Sequence, residues 1–280
     1  MAKIGIAGTT SWGTTLAIIL SREGLDVTLW ARSEQEASNL RSLGRNPKFL
    51  SDKSFPRRLK IASSANEAFH DASVSIIAVP SNSLRTNIKS IRDSLESSAA
   101  IVSASKGLEI TSGKRMSQVL EDELPHHLHD RICALSGPNL AKEIVTGKPS
   151  STVVACKNNN VTKMVQQLLT SSKFRIYTNT DIIGVELGGS LKNIIAIGAG
   201  ICDGLSYGDN SKAAFITRGL AEITRLGISA GAEPTTFAGL AGMGDLIATC
   251  SSKFSRNHYV GEELAKGRSV SEIQASMKNV

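Results

Sequence analysis

The opening segment of the chain constrains its fold most. Residues 3–7 have the composition of a short buried strand, and a turn with Gly8 and Gly13 follows before a helix. Such a glycine turn between a strand and a helix is where the pyrophosphate of a dinucleotide binds. Thr10 occupies the middle glycine position of this fingerprint, and we expect its Cβ to displace the phosphate or to require a shifted loop. The alternative interpretation is a plain strand–helix turn.

Strand and helix patterns alternate along the first part of the chain. One predicted helix covers residues 12–22, and another covers 33–43, where Ser33 and Glu36 form a capping box. Further strands are predicted at residues 26–30, 75–80, 100–103, 132–135 and 153–156. This alternation predicts an α/β domain with a Rossmann-like doubly wound sheet over residues 1–178.

The pattern becomes helical near residue 178. Long helices are predicted from residue 181 to about 202 and from 211 to 230, with shorter helices after them. We therefore expect an all-helical second domain over residues 179–280. A cleft between two such domains is a usual place for a ligand.

Arg32 follows the second predicted strand, where an NAD-specific site usually has an acidic residue. An arginine at this position accommodates the 2′-phosphate of NADP. This predicts that NADPH is accepted. The alternative is an exposed arginine at the start of a loop.

Lys192 lies on the first long helix among very small neighbours. Gly188 and Gly189 precede it by one helical turn, and two glycines inside a helix cost roughly 1 kcal/mol each relative to alanine. Such a cost indicates close approach by a ligand or by another backbone. Tight helix packing, with Lys192 directed toward solvent, is the alternative.

Three other segments have the features of ligand loops. Lys106 follows the strand at 100–103, and ligands of open α/β sheets collect beyond the carboxyl ends of strands. Residues 136–139 follow another strand and precede a helix, so their backbone donors are suited to an anion. Ser255 is predicted to cap a helix that begins with Arg256, which is a favourable phosphate site.

Composition excludes several classes of protein. The net charge is +7, but lysine and arginine are scattered and aromatic residues make up only 4%, which argues against nucleic-acid binding. The four cysteines have no metal-site or disulfide spacing and are predicted to be buried thiols. The histidines at 126, 127 and 129 lack matching ligands, so no metal is predicted. No signal peptide and no apolar run of roughly 18 residues are recognised, which predicts a cytoplasmic protein.

The motifs resemble those of one family, the bacterial NAD(P)-dependent glycerol-3-phosphate dehydrogenases. They occur in family order and spacing over the whole chain. The matching segments are residues 11–14, 104–109, 135–138, 184–189 with 191–193, 217–222, 241–246 and 255–257.

The resemblance implies a set of site residues and the cofactors NADPH and NADH. Catalysis would involve Lys192 as the proton acceptor, together with Lys106 and Asp245. The implied substrate-binding residues are Lys106, Gly137, Asn139, Lys192, Asn193, Asp245, Ser255, Arg256 and Asn257. The implied cofactor-binding residues are Gly8, Thr10, Ser11, Trp12, Gly13, Arg32, Lys106, Ala141, Arg256 and Val280.

The implied activity is interconversion of dihydroxyacetone phosphate and sn-glycerol 3-phosphate for glycerophospholipid synthesis. A homodimer is a separate expectation, in which dimer contacts cover an exposed face of the helical domain. Three features depart from the family pattern. Thr10 replaces a glycine, Asn139 replaces threonine or serine, and family members continue beyond Val280. Two alternatives therefore stay open: a related hydroxyacid dehydrogenase, and an inactive nucleotide-binding descendant.

Overall fold

A computed structural model of the chain describes residues 2–277. The chain divides into two compact units. The first comprises the residues up to Leu135 together with Ala141–Ile182, and the second comprises Ser136–Leu140 and the residues from Ile183 onward. The grouping of Ser136–Leu140 with the helical second unit is not visible in the sequence pattern.

The first unit is built on an eight-stranded sheet. The strands of this unit are β1 (Lys3–Ala7), β2 (Asp26–Trp30), β3 (Arg45–Asn46), β4 (Leu50–Ser54), β5 (Lys60–Ala62), β6 (Ala72–Ile77), β7 (Ala100–Ser103), β8 (Ile132–Ser136), β9 (Ser150–Ala155) and β10 (Phe174–Asn179). The sheet order is β10-β9-β8-β7-β6-β1-β2-β5, and β3 and β4 form a separate antiparallel pair.

Most neighbouring strands of the sheet run in parallel. The pairs from β5 across to β8 are parallel, and so is the pair of β9 with β10. The Cys156 thiol, just after β9, donates to the carbonyl of Asp130, just before β8 (3.4 Å). This contact joins the carboxyl end of one strand to the amino end of the next, so β8 and β9 run in opposite directions.

Helices connect the strands of the first unit. They are α1 (Ser11–Arg22), α2 (Glu34–Leu43), α3 (Ala65–Phe69), α4 (Leu84–Ile91), α5 (Met116–Glu123), α6 (Ala141–Ile144) and α7 (Asn159–Leu169). The central strands β1, β6 and β7 are almost completely buried, as expected for a parallel sheet covered by helices on both faces. The predicted Rossmann-like α/β fold is confirmed.

Two local predictions need correction. The strand predicted at residues 75–80 is β6, which begins at Ala72 and ends at Ile77. The Ala78 amide still donates to the carbonyl of Ala7 in β1, but Pro80 has no amide hydrogen and cannot continue the strand pairing. Ser33 does cap α2 by accepting from the amide of Glu36, but the Glu36 carboxylate instead accepts a hydrogen bond from Thr9 (2.5 Å).

The second unit is helical in its described part. Its elements are α8 (Ile182–Gly204), α9 (Gly208–Ser229), α10 (Pro234–Phe237), a π-helical turn (Leu240–Gly244), α11 (Asp245–Ser251), α12 (Arg256–Ala265) and α13 (Val270–Ser276). The backbones of α8 and α12 approach closely at two glycines. A Cβ at Gly200 would lie 2.0 Å from the carbonyl oxygen of His258, and one at Gly261 would lie 1.9 Å from that of Ile197.

Helix α8 is long and apolar enough to cross a membrane, a property that the sequence analysis did not foresee. More than half of its apolar window is buried inside the protein, and its Lys192 side chain is buried as well. These are features of a core helix in a folded unit. The four cysteines are all free and buried, as predicted.

Candidate functional site

The glycine turn after β1 has the geometry of a nucleotide loop. Gly8 has φ +117°, and a Cβ there would lie 2.5 Å from the carbonyl oxygen of Ala78. A Cβ at Gly13 would lie 2.0 Å from the carbonyl oxygen of Gly8. Both positions therefore require glycine: the first for the turn, and the second because α1 packs directly on the turn.

Thr10 is accommodated in the glycine turn because its hydroxyl makes two hydrogen bonds to the backbone. Its backbone is extended (φ −75°, ψ 172°), and its hydroxyl oxygen accepts from the amide of Gly13 (3.1 Å), which caps α1. The same hydroxyl donates to the carbonyl of Ala78 (2.8 Å). The threonine thus fixes the turn to the loop after β6, which explains how a side chain occupies the middle glycine position.

Two residues that the sequence analysis missed also hold this turn. Asn46 is buried, and its amide donates to the carbonyl of Thr9 (2.9 Å) and to the hydroxyl of Thr14 (2.9 Å). Glu36 accepts from the Thr9 hydroxyl and brings an acidic side chain to the turn. Asn46 gives no sequence signal, since its partners are more than 30 residues away.

The remaining nucleotide-site candidates of the first unit lie at the same edge of the sheet. Ser11 and Trp12 are the first two residues of α1, and the indole Nε1 of Trp12 is buried with no hydrogen-bond partner among the described residues. Arg32 is exposed, two residues after β2. Ala141 is the first residue of α6, and Val280 lies outside the described residues. The tight glycine positions at Gly8 and Gly13, and a buried indole donor with no partner among the described residues, are features that fit a bound dinucleotide.

Lys106 lies in a tightly held loop after β7. The Ser105 hydroxyl donates to the carbonyl of Val79 (2.5 Å), which follows β6. Gly107 has φ +137°, and a Cβ there would lie 2.6 Å from the hydroxyl oxygen of Ser81. Since β6 and β7 are parallel neighbours, Lys106 is at the edge of the sheet that also carries the glycine turn.

An ion-pair network continues from this loop. The Arg85 guanidinium donates two hydrogen bonds of 2.8 Å to the Glu109 carboxylate, and it also contacts Asp122 and Glu123. The hydrogen bonds from Arg85 lower the pKa of Glu109 from 4.5 to about 2. The segment after Lys106 is thereby anchored to α4 and α5.

Lys192 has the most distinctive environment in the second unit. Its ammonium donates to Asp245 Oδ1 (2.6 Å) and to the hydroxyl of Thr249 (2.6 Å). Only 8% of Lys192 and 1% of Asp245 are exposed to solvent. This low exposure shows that the interpretation of a solvent-directed lysine is wrong, and a buried ammonium paired with a carboxylate is a candidate functional group.

The local backbone explains how this pair forms. A Cβ at Gly188 would lie 2.6 Å from the carbonyl oxygen of Ala241, so the glycine admits the π-helical turn against α8. Asp245 directly follows that turn and begins α11, where the helix dipole favours a carboxylate. Thr249 lies one turn further on α11 and donates to the carbonyl of Asp245. Thr249 was not among the predicted site residues, although its i+4 spacing from Asp245 indicates a shared helix face.

The start of α12 is joined to the helix that carries Lys192. The Asn257 amide donates to Asn193 Oδ1 (2.8 Å), and Asn193 directly follows Lys192. Ser255 caps α12 by accepting from the amide of His258 (3.2 Å), as predicted from the sequence. Arg256 is the exposed first residue of α12. Within the second unit, the structure therefore brings Lys192, Asn193, Asp245 and Asn257 together.

The two remaining substrate-site candidates, Gly137 and Asn139, follow β8. Gly137 is buried with φ +154°, a conformation that favours glycine, and Asn139 is half-buried. They belong to the segment that groups with the second unit.

A Rossmann-like sheet with a glycine turn, together with a helical unit that carries a buried lysine–carboxylate pair, defines an NAD(P)-dependent oxidoreductase. Comparison with known proteins specifies the family. Residues 3–162 match the family model described as NAD-dependent glycerol-3-phosphate dehydrogenase N-terminus, and residues 181–280 match the C-terminus of the same family. The chain belongs to this family, which confirms the resemblance found in the sequence.

Individual relatives agree with this assignment. Glycerol-3-phosphate dehydrogenase [NAD(P)+] from Dehalococcoides mccartyi (strain ATCC BAA-2266) is 54% identical over all of this chain and 78% of that relative. The Chlorobium limicola enzyme of the same name is 47% identical over 99% of this chain and 83% of its own length. The crystal structure of glycerol-3-phosphate dehydrogenase from Coxiella burnetii superposes with a TM-score of 0.92 at 35% identity, covering 100% of this chain and 85% of that one.

Proposed function

We propose that the chain interconverts dihydroxyacetone phosphate and sn-glycerol 3-phosphate, with Lys192 as the group that exchanges a proton with the substrate oxygen. The observation that carries this proposal is the buried contact of Lys192 with Asp245 and Thr249. Family membership supplies the reaction class. The contact explains why this lysine is held in one place and is not free on the surface.

The cofactor fits the first unit. The glycine turn at Gly8 and the first turn of α1, with Ser11 and the Trp12 indole that has no partner within residues 2–277, would hold the pyrophosphate part of NAD(P). Arg32 would contact a 2′-phosphate, and the charge of Lys106 would favour an anionic ligand. When bound, NAD(P)H supplies the hydride that reduces C2 of the ketone.

Lys192 handles the proton in both directions. In reduction, its ammonium donates a proton to the oxygen that develops negative charge at C2, and in oxidation the neutral amine accepts the hydroxyl proton. Asp245 and Thr249 fix the position of the nitrogen during both steps. Asn193 would complete the polar surroundings of the reacting carbons.

The start of α12 would bind the phosphate of the substrate. Ser255, Arg256 and Asn257 combine a helix N-terminus with a guanidinium, and both favour a doubly charged anion. Gly137 and Asn139 would add backbone and amide donors. The Asn257–Asn193 hydrogen bond ties this phosphate site to the helix of Lys192.

The test is the rate of NADPH and NADH oxidation with dihydroxyacetone phosphate, followed by near-ultraviolet absorbance. Dihydroxyacetone, which lacks the phosphate, serves as the matched control substrate. Rapid oxidation with the phosphorylated ketone alone is the expected result. Oxidation with a 3-oxo acid instead would show the alternative hydroxyacid dehydrogenase. Cofactor binding without turnover would show a nucleotide-binding descendant.

We further propose that the protein is cytoplasmic, forms a homodimer and supplies sn-glycerol 3-phosphate for glycerophospholipid synthesis. Large apolar side chains exposed on the second unit support self-association; they include Ile194, Leu226, Ile228 and Ile247. Light scattering during size-exclusion chromatography would distinguish the dimer from a monomer.

A further inference from the structure

A second charged cluster lies near the end of α8. Asp203 is the penultimate residue of this helix, and its Oδ2 accepts hydrogen bonds from Lys212 Nζ and His258 Nε2, both at 2.7 Å. Lys212 belongs to α9, and His258 belongs to the first turn of α12. The cluster therefore joins three helices through one carboxylate.

Helix stability alone does not explain these charges. An acidic residue at the end of a helix and a basic residue near the start of one both oppose the helix dipole. Asp203 occupies such an unfavourable position at the end of α8, whereas Lys212 lies beyond the first turn of α9. Burial by itself would raise the pKa of Asp203, but the hydrogen bonds from Lys212 and His258 outweigh it, and the pKa lies below 3.8. The hydrogen bonds from Lys212 and His258 thus compensate for the burial of the Asp203 carboxylate. This indicates that the relative position of the three side chains is important for the structure.

The cluster adjoins the proposed phosphate site. His258 directly follows Asn257, and its amide donates to the capping hydroxyl of Ser255. Asn257 is held on α8 by Asn193, whereas His258 is held near the end of α8 by Asp203. The first turn of α12 is consequently fixed at two points along one helix.

The cluster and Lys192 share helix α8, which carries both Lys192 and Asp203. Burial raises the pKa of the Cys250 thiol to about 11, and the charges of both Lys192 and Lys212 act in the opposite direction. Cys250 follows Thr249 and packs in the same apolar core cluster as Ala199 of α8. Asp203 supplies the counter-charge that pairs with Lys212.

We propose that His258, Asp203 and Lys212 are positioning residues that orient the first turn of α12 and thereby set the affinity for the substrate phosphate. This inference rests on the proposed function, since it requires the phosphate to bind at Ser255, Arg256 and Asn257. None of the three residues needs to touch the substrate.

The test separates substrate affinity from turnover in purified variants of the 280-residue chain. In His258→Met and Asp203→Asn, we expect KM for dihydroxyacetone phosphate to rise about tenfold while kcat and KM for NADPH change less than about threefold. His258→Gln keeps an N–H donor at the required distance and is expected to restore KM to within about threefold of the wild type. The control is His70→Met, which removes an exposed histidine that contacts Glu96 (2.8 Å) in the first unit.

Unchanged KM values in folded His258→Met or Asp203→Asn would overturn the inference, and so would a KM in His258→Gln as high as in His258→Met. If His258→Met does not fold, as judged by circular dichroism, the KM of Asp203→Asn decides. Arg256→Met distinguishes the two proposals. A raised KM in Arg256→Met with a normal KM in His258→Met overturns only the positioning role, whereas a normal KM in Arg256→Met overturns the proposed phosphate site and the inference with it.

Discussion

The Lys192 ammonium lies 2.6 Å from the Asp245 carboxylate, and both side chains are almost completely shielded from solvent. A buried ion pair stabilises a fold little relative to an apolar pair, but removal of one partner leaves an uncompensated charge. The pair is therefore better explained by the chemistry of Lys192 than by stability.

The first prediction concerns the effect on stability of removing one partner of the Lys192–Asp245 ion pair. Asp245→Ala leaves the buried ammonium without its counter-charge and is expected to lower the free energy of unfolding by about 3–5 kcal/mol, measured by urea denaturation. The double variant Lys192→Met/Asp245→Leu removes both charges and is expected to recover part of that loss. A single variant as stable as the wild type would show that the pair is not buried in solution.

The second prediction concerns Thr10. Thr10→Val removes the hydroxyl that caps α1 and contacts Ala78, with little change of shape, and is expected to cost about 1–2 kcal/mol of unfolding free energy. Thr10→Ser keeps the hydroxyl and is the matched control. Equal thermal midpoints for the two variants would contradict the role assigned to this hydroxyl.

The third prediction concerns cofactor choice. Arg32→Ala is expected to raise KM for NADPH about tenfold and to change KM for NADH less than about twofold, because only NADPH carries the 2′-phosphate. Steady-state kinetics with both cofactors provide the measurement. Arg57→Ala, at another exposed arginine of the first unit, is the control. Parallel changes for NADH and NADPH would argue against contact with the 2′-phosphate.

The fourth prediction is a pH dependence. The pKa of Glu109 is about 2 in the folded protein and 4.5 is its ordinary value, so its contribution to stability is present above pH 4.5 and is lost as the pH falls toward 2. Arg85→Met is expected to destabilise the protein at neutral pH, with the difference from the wild type shrinking over this acidic window. Urea unfolding across this pH range provides the measurement.

The control for the pH experiment is Arg218→Met, which removes an exposed arginine 3.7 Å from Glu222. Its stability is expected to follow the wild type at every pH. A difference between Arg85→Met and the wild type that stays constant across the acidic window would mean that Arg85 does not lower the pKa of Glu109.

Local sequence patterns predicted much of the fold. The strands at residues 26–30 and 100–103 and the Ser255 cap appear as expected, because each depends on neighbouring residues. The reversal of β9 relative to β8 was not predictable, since the periodicity of a strand does not encode its direction.

The candidate site was predictable only in part. Gly188 and Lys192 share one helix face, so their spacing was informative. The contact of Lys192 with Thr249 joins residues 57 positions apart, and the Asn46 contacts with the glycine turn are similarly distant. Such contacts arise from tertiary packing and leave no periodic pattern in the chain.

The proton-transfer role of Lys192 is tested most directly by comparing wild-type protein with Lys192→Met at saturating NADPH and dihydroxyacetone phosphate. Loss of proton transfer is expected to reduce kcat by about 100-fold or more, while NADPH binding, measured by fluorescence, stays unchanged. Lys60→Met, at an exposed lysine of the first unit, is expected to retain full turnover. Turnover near the wild-type rate in folded Lys192→Met would contradict the proton-transfer role of Lys192.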